Sequence, residues 1–138
     1  TTDKQHRFLS KWFLDREEEI HEFHHGCCIG GDEEAWEIVH GLRFEIVTHA
    51  HPSNLHQFLS ESALQLSCVK HPVQPPLERN RDIVRISDVI LACPYDFLER
   101  QRSGTWMTVR EARRCRKHLM IIYPDGSARE ENKPEELL

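Results

Sequence analysis

The strongest constraint on the fold is an alternation of helix-type segments with short runs that are apolar throughout. Asp88–Cys93 and His118–Tyr123 are two such runs, and a helix-type segment at Ser103–Lys117 separates them. Continuously apolar runs of this length are typical of parallel strands that are covered on both faces. The alternation therefore predicts an α/β fold in which a mainly parallel central sheet is sandwiched between layers of helices.

The remaining segments extend this pattern along the chain. Short strands are expected at Ile20–His25 and Phe44–Thr48. The proline-rich segment His49–Pro76 is expected to be irregular, with a short helix or strand around Ser62–Val69. Further helices are predicted at Thr2–Arg16, Glu33–His40 and Leu77–Ile86. Asp32 is a candidate N-cap for the helix at Glu33–His40.

Length and charge restrict the class of protein further. The chain has 138 residues, so residues 1–126 are expected to form one domain and residues 127–138 a charged, partly disordered tail. A net charge of −5 disfavours binding of nucleic acid through neutralisation of its backbone. No apolar run approaches the roughly 18 residues of a membrane span, and the polar start is unlike a signal peptide. A cytoplasmic protein that does not bind membranes is therefore expected.

Cysteines and histidines raise the question of disulfides and metals. Five scattered cysteines argue against a disulfide framework. His21, His24 and His25 resemble ligands in composition, but they lack zinc-site spacing, and strand alternation turns His24 away from the other two. His49 and His51 lie near the end of another strand. Composition keeps a metal site open as an alternative, but we expect no metal or other cofactor and place His25 and His49 at the rim of an anion pocket.

Two glycine-containing turns each join a predicted strand to a predicted helix, one at His25–Asp32 and the other at Arg102–Thr108. In a parallel sheet both turns lie at the carboxyl ends of strands, where backbone N–H groups and helix dipoles hold anions such as phosphate. Helix capping is the alternative role for these glycines. The candidate ligand-binding residues are His25, Gly26, Cys28, Gly30, Gly31 and Asp32 in the first turn, with Arg102, Ser103, Gly104, Thr105 and Trp106 in the second.

Arg79 and Asn80 are the third group of candidates. They lie at the start of the helix that precedes the apolar run Asp88–Cys93, so their side chains are expected near the same edge of the sheet. Guanidinium groups suit phosphate because their donors match its oxygens in pairs. The alternative is a solvated helix face on which Arg79 pairs with Glu78 or Asp82.

Four segments form a recognisable pattern in their order and spacing: Gly26–Asp32, Arg79–Val84, Asp88–Ala92, and Ser103–Thr108 with Ala112. This pattern resembles the SLOG superfamily, which is named after DNA-processing protein A (Smf) and the LONELY GUY phosphoribohydrolases. It is most similar to small stand-alone members that carry an HHGxCxGxD turn and an RSGTW turn. The resemblance implies a Rossmann-like three-layer sandwich that binds a nucleotide or a nucleotide-derived ligand.

The resemblance also implies an enzymatic alternative. LONELY GUY enzymes cleave the N-glycosidic bond of nucleoside monophosphates with an arginine and a glutamate. Arg79 matches that arginine, but Thr108 stands at the position of the glutamate, and Glu111 lies one helical turn further along. We therefore expect the protein to bind its ligand, and catalysis is the alternative function. Arg79 and Glu111 are the catalytic candidates if the protein is a nucleoside-phosphate N-glycosidase or transferase.

Nucleic acid and a second copy of the chain are the remaining candidate partners. In the larger SLOG proteins, DNA binding relies on basic surface together with oligomerisation. The segment Arg100–Lys117 is locally basic, so a single-stranded DNA-binding module is a weaker alternative, weighed against a solvated helix with cations near its C-terminus. Phe8, Trp12 and Phe13 on the first helix favour self-association, and a homodimer is expected.

Overall fold

The computed structural model describes residues 1–43 and 45–135, and these residues form a mixed α/β fold. The helices are α1 (Asp3–Asp15), α2 (Gly31–His40), α3 (Glu61–Gln65), α4 (Pro76–Ile86) and α5 (Gly104–Arg114). The strands are β1 (Glu22–His25), β2 (Val47–Ala50), β3 (Val69–Lys70), β4 (Val89–Ala92), β5 (His118–Ile122) and β6 (Ala128–Glu131). Every helix in this part of the chain is too short or too polar to cross a membrane.

Within residues 1–43 and 45–135, the strands form two three-stranded sheets. In the first sheet β1, β2 and β3 run parallel in that order, with His24 beside His49 and His49 beside Val69. In the second sheet β4 and β5 are parallel, and β6 pairs with β5 in the antiparallel direction. The expected parallel pairing is therefore present within each sheet. However, β1 and β4 belong to different sheets and line a shared cleft, instead of joining into the single central sheet that the sequence predicts.

Two apolar clusters hold the helices against the strands. One cluster packs α4 and α5 against β4 and β5, and it includes Val84, Val109 and Ile121. The other gathers α1 and α2 and includes Ile122 of β5. Ile121 and Ile122 are both fully buried, and neighbouring strand residues point to opposite faces. Helices therefore cover both faces of β5, which explains why its sequence is apolar throughout.

The N-terminal helix begins as its sequence predicts. The Thr2 side chain accepts a hydrogen bond from the Gln5 backbone N–H at 3.1 Å, and the Gln5 side-chain oxygen accepts one from the Thr2 N–H at 2.9 Å. This reciprocal pair is a capping box. Gln5 Nε2 also donates to the carbonyl oxygens of Pro94 and Ile122 at 2.8 and 2.9 Å. The cap therefore ties α1 to the end of β5.

The aromatic side chains of α1 pack inward. Phe13 is 2% exposed, and Phe8 and Trp12 pack against the cluster that contains it. The Arg16 guanidinium also covers the Trp12 ring at 4.4 Å from its centroid. Phe8 and Trp12 remain half-buried, so Phe13 is the one ring of these three that is fully withdrawn from solvent, and the homodimer stays a prediction.

The start of α2 differs in detail from the expectation. Asp32 does not cap this helix, because the N-cap is Gly30 and α2 begins at Gly31. Gly30 has a φ of +105°, a backbone conformation that side chains with a Cβ rarely adopt. Asp32 consequently lies in the first turn of the helix, where a carboxylate also interacts favourably with the helix dipole.

Residues Ala128–Glu131 of the expected tail form a strand, whereas the end of that tail at 136–138 lies outside the described residues. Asp125 accepts hydrogen bonds from the backbone N–H of Ser127 at 2.9 Å and from its hydroxyl at 2.6 Å, which stabilises the turn. The chain then pairs with β5 along β6. Arg113 donates to both carboxylate oxygens of Glu131 at 2.9 and 2.8 Å, so α5 anchors the new strand.

Candidate functional site

A cleft of about 900 Å³ separates the two sheets. It is lined by residues of α1, by β1 and β4, and by the N-terminal turns of α2 and α5. Its volume lies in the range of small-molecule sites. Both glycine turns open onto this cleft, as expected for turns at the carboxyl ends of parallel strands.

The first glycine turn is tightly folded onto the protein itself. Cys27 at its centre has a φ of +61°. The Cys28 N–H donates to Asp32 Oδ2 at 3.2 Å, and the Ile29 N–H donates to the Phe58 carbonyl oxygen at 2.7 Å. Backbone donors that the sequence assigns to a phosphate are therefore already used within the chain.

Arg79 locks this turn from the side of α4. Its Nη1 donates to the carbonyl oxygens of Gly26 at 2.5 Å and His51 at 3.1 Å, and its Nε donates to Asn80 Oδ1 at 2.7 Å. A Cβ at Gly26 would lie 2.7 Å from Arg79 Nη1 and 2.9 Å from Asp32 Oδ2. Glycine is therefore required here because the guanidinium and the carboxylate approach the backbone closely. Arg79 is 7% exposed, and its main contacts are the hydrogen bonds that stabilise this turn.

His25 stabilises the same turn through hydrogen bonds of both ring nitrogens. Its Nδ1 accepts a hydrogen bond from the Cys27 N–H at 3.1 Å, and its Nε2 lies 2.7 Å from Ser67 Oγ, which in turn donates to the Ala63 carbonyl oxygen at 2.6 Å. These partners assign the proton to Nε2 of a neutral ring. Burial lowers the pKa of His25 to about 4. Both ring nitrogens are engaged within the protein, so the ring has no donor left for a phosphate at the rim.

The second glycine turn is open by comparison. Ser103 caps α5, since its side-chain oxygen accepts a hydrogen bond from the Trp106 N–H at 3.4 Å. In the part of the chain that the structure describes, no neighbouring atom lies within 4 Å of the position that a Cβ of Gly104 would take. Trp106 itself is 3% exposed and belongs to the apolar core. The free space in this turn therefore lies in front of Gly104 and Thr105.

The cleft gathers most of the binding residues predicted from the sequence. Those that line it are His25, Gly26, Cys28, Gly31, Asp32, Arg79, Asn80, Ser103, Gly104, Thr105 and Trp106. Gly30, His49 and Arg102 are not among its lining residues. Arg100, which was not among the predicted residues, does line the cleft, where it forms an ion pair with Asp96. The segment between β4 and α5 has no regular pattern from which side-chain direction could be inferred.

Glu111 lies apart from the other candidates. Its two carboxylate oxygens accept hydrogen bonds from Arg114 at 2.6 and 3.0 Å, and it is not among the residues that line the cleft. Hydrogen bonding from Arg114 holds the pKa of Glu111 below its usual range. An ionised carboxylate held in this pair is poorly suited to donate a proton, and the structure does not bring Glu111 and Arg79 together.

Sequence reasoning missed a cluster of four histidines on the face of the first sheet that lies opposite His25. His24 Nδ1 lies 2.9 Å from His51 Nε2, and His49 Nδ1 lies 3.0 Å from His71 Nε2. The rings of His51 and His71 stack with centroids 4.0 Å apart. Burial together with neighbouring histidines lowers the pKa of His24 to about 4 and that of His51 to about 3. His24 and His51 are therefore neutral near pH 7.

A sequence signal for this cluster existed. His49 and His51 are two residues apart and therefore share a face of β2 or its extension. His24 and His71 stand near the ends of the strands on either side. His71 was not among the residues named from the sequence, because only the register of the parallel strands brings it beside His24, His49 and His51.

The cysteines contribute no reactive thiol to the cleft. All five are free. Burial raises the pKa of Cys27 and of Cys93 to about 12 and also raises the pKa of Cys28, so these side chains are protonated at neutral pH. Cys68 is exposed, and a hydrogen bond from Thr48 lowers its pKa. The most nucleophilic thiol therefore lies outside the cleft.

Comparison with known proteins found no match to a family model, to a curated protein or to a solved structure.

Proposed function

We propose that the cleft binds a nucleotide or a nucleotide-derived ligand, and that the chain is a Rossmann-like three-layer domain related to the SLOG superfamily. One observation carries the proposal: residues from three separate segments that the sequence assigns to anion binding line one cavity of suitable size. The helices on both faces of β5 are consistent with the layered fold.

The phosphate is assigned to the α5 turn. Gly104 and Thr105 stand at the N-terminus of an eleven-residue helix, where backbone N–H groups and the helix dipole favour an anion. Space in front of Gly104 leaves room for phosphate oxygens. Arg100 also lines the cleft, but its charge is balanced by the Asp96 carboxylate, so the helix N-terminus carries the assignment of the phosphate.

The α2 turn is assigned a different part of the ligand. Asp32 places a carboxylate at this turn, and its oxygen already accepts a hydrogen bond from Cys28. A second anion beside it would be repelled. A carboxylate accepts hydrogen bonds from hydroxyl and amino groups, so Asp32 suits a ribose hydroxyl or an amino group of a base, and the apolar walls from β4 suit the base itself.

Binding without glycosidic cleavage is the form of the proposal that these contacts favour. The donors of Arg79 that bind Gly26 and His51 are committed to holding the turn, and Glu111 is paired with Arg114 away from the cleft. The basic helix also gives little support to a nucleic-acid site, because Arg110 and Arg113 form ion pairs with Glu99.

The proposal is tested by ligand-dependent thermal stabilisation with a panel of nucleoside mono-, di- and triphosphates, adenine dinucleotides and cyclic nucleotides. At least one of these ligands should raise the Tm of the parent protein in a concentration-dependent manner. In Gly104→Asp the new carboxylate should weaken that ligand by more than about tenfold through like-charge repulsion.

Gly104→Asn is the matched control, because it adds a side chain of nearly the same size without the charge. It should bind the ligand more tightly than Gly104→Asp, and both variants should retain the circular dichroism spectrum of the parent. A flat response across the whole panel would refute the proposal, as would a Gly104→Asp variant that binds like the parent.

A further inference from the structure

The first sheet carries an ordered polar face beside the cleft. Glu22 and His24 are two residues apart on β1, and His24 lies directly beside His49 of β2 in the parallel register. His51 comes directly after the last residue of β2, and His71 comes directly after the last residue of β3. The backbone N–H of His71 still donates to the Ala50 carbonyl oxygen at 2.9 Å. Side chains two residues apart share a face, so one carboxylate and four imidazoles converge at the carboxyl end of the sheet.

The ring nitrogens of this face lie at the separations of a ligand set. One nitrogen each of His24, His51 and His71 lies within 4.8 Å of the others. Zinc–nitrogen bonds of about 2.1 Å in a tetrahedral site place ligand atoms roughly 3.4 Å apart. The nitrogens lie within 4.8 Å of one another, so binding of one ion to all three requires the rings to move closer together. Imidazole nitrogen is a preferred donor for zinc and for the late divalent transition metals.

We propose that His24, His51 and His71 form a binding site for a divalent transition-metal ion of the zinc class. The three residues come from β1, from the end of β2 and from the segment after β3, so the metal would link all three strands. Three protein ligands leave one tetrahedral position for water or another small ligand.

The surrounding side chains provide the outer contacts that such sites require. His24 turns Nδ1 toward His51, while its Nε2 lies 3.6 Å from the Glu22 carboxylate. A carboxylate on the far nitrogen of a ligating histidine fixes the tautomer and orients the ring. His49 stands between the ligands and Glu22, with Nε2 2.8 Å from the carboxylate and Nδ1 3.0 Å from His71. Glu22 and His49 are therefore positioning residues.

A path from solvent reaches the proposed ligands. A pocket of about 350 Å³ is lined by His51 and His71 together with Asp82 and Arg85 of α4. Asp82 supplies negative charge along this path, and the positive charge of Arg85 offsets it. This pocket is separate in its lining from Gly104 and Thr105, which line the large cleft. His24 and Glu22 do line that cleft, so the proposed metal site adjoins the proposed nucleotide site, although the pocket at His51 and His71 does not include the phosphate turn.

The competing interpretation is a set of imidazoles that hydrogen-bond to one another without metal. It accounts for the pairs His24–His51 and His49–His71. However, His49 Nε2 is buried and lacks a hydrogen bond of acceptable geometry among the described residues, although the Glu22 carboxylate is near. Rings that shift to ligate a metal would allow this N–H to meet the carboxylate.

The test measures Zn²⁺ binding to untagged, chelator-treated full-length protein by competition with a chromogenic chelator. The parent should bind one equivalent per chain. His71→Gln removes a half-buried ligand and should weaken Zn²⁺ binding by at least about a hundredfold, whereas His49→Gln should weaken it by about ten- to a hundredfold, as expected for a positioning residue. Binding of Co²⁺ should give the visible absorption of a tetrahedral site in the parent and lose it in His71→Gln.

Three controls separate this site from other sources of affinity. His56→Gln changes an exposed histidine outside the cluster, Cys68→Ser removes the exposed thiol, and Gly104→Asp alters only the proposed phosphate turn, so each should bind Zn²⁺ like the parent. The proposal is overturned if the parent binds no stoichiometric Zn²⁺, if folded His71→Gln binds it like the parent, or if Cys68→Ser abolishes binding.

Discussion

The two sheets of the protein have very different interiors. The sheet of β4, β5 and β6 is packed by apolar side chains, of which Leu119 and Ile121 are fully buried. The sheet of β1, β2 and β3 buries polar groups instead, among them His25, Thr48 and His51. Both sheets contain a parallel pair, β1 with β2 and β4 with β5, so parallel pairing alone does not explain the difference.

The contrast separates two ways of holding a strand in place. Apolar burial is not directional and grows with the area removed from water. Hydrogen-bonded polar groups require each partner at its proper distance, and a group that loses its partner is expensive to keep buried. The polar sheet also supplies the histidine cluster and one wall of the cleft. The apolar sheet therefore contributes most of the packing, whereas the polar sheet contributes most of the candidate chemistry.

The largest effect is expected in the apolar sheet. Ile121→Ala removes a fully buried side chain from β5 and should lower the free energy of unfolding by about 2–5 kcal/mol. Denaturant unfolding followed by circular dichroism measures the change. Val47→Ala on β2 is the control, since Val47 is 38% exposed, and its effect should be within about 0.5 kcal/mol. Equal effects for the two variants would remove the distinction between the sheets.

A second effect distinguishes the two glycine turns. Gly26→Ala inserts a methyl group against Arg79 and Asp32 and should destabilise the protein by about 1–3 kcal/mol. Gly104→Ala enters open space at the exposed start of a helix and should change stability by less than about 0.5 kcal/mol. Thermal or chemical unfolding of both variants gives the comparison. A Gly26→Ala variant as stable as the parent would contradict the close approach of Arg79 to the turn.

A smaller effect tests the hydrogen bonds of the polar sheet. Ser67→Ala removes the partner of His25 Nε2 and the donor to the Ala63 carbonyl oxygen, and should cost about 1–2 kcal/mol because both groups remain buried. Ser62→Ala on the exposed side of α3 is the matched control and should change stability by less than about 0.5 kcal/mol. If the two substitutions had the same effect, the buried network would not stabilise this sheet.

The local structure was largely readable from the sequence, because it depends on neighbouring residues. Periodicity and capping predicted the helices α1, α2, α4 and α5 with ends displaced by a few residues. The apolar runs predicted β4 and β5 because both faces of these strands are covered. β6 was missed because its residues are charged, and an edge strand held by Arg113 and Glu131 needs no apolar side chains.

The site was only partly readable, because side-chain partners are set by contacts between distant segments. The two glycine turns do meet at one cleft, as their places after β1 and before α5 suggest. The brace from Arg79 to Gly26 crosses 53 positions of the chain, and no local pattern reveals that its donors are already occupied. The histidine cluster likewise depends on the register of three strands, and β3 has only two residues.

The most direct test of the central claim is a backbone amide NMR titration of the assigned protein with the nucleotide that gives the largest thermal stabilisation. Binding at the α5 turn predicts saturable shifts at Gly104 and Thr105 and at the neighbouring Trp106 indole, with smaller shifts at Asn80. Gly104→Asp should abolish them while the rest of the spectrum is preserved. Saturable shifts confined to the histidine face of the first sheet, or no shifts with any nucleotide, would contradict the account.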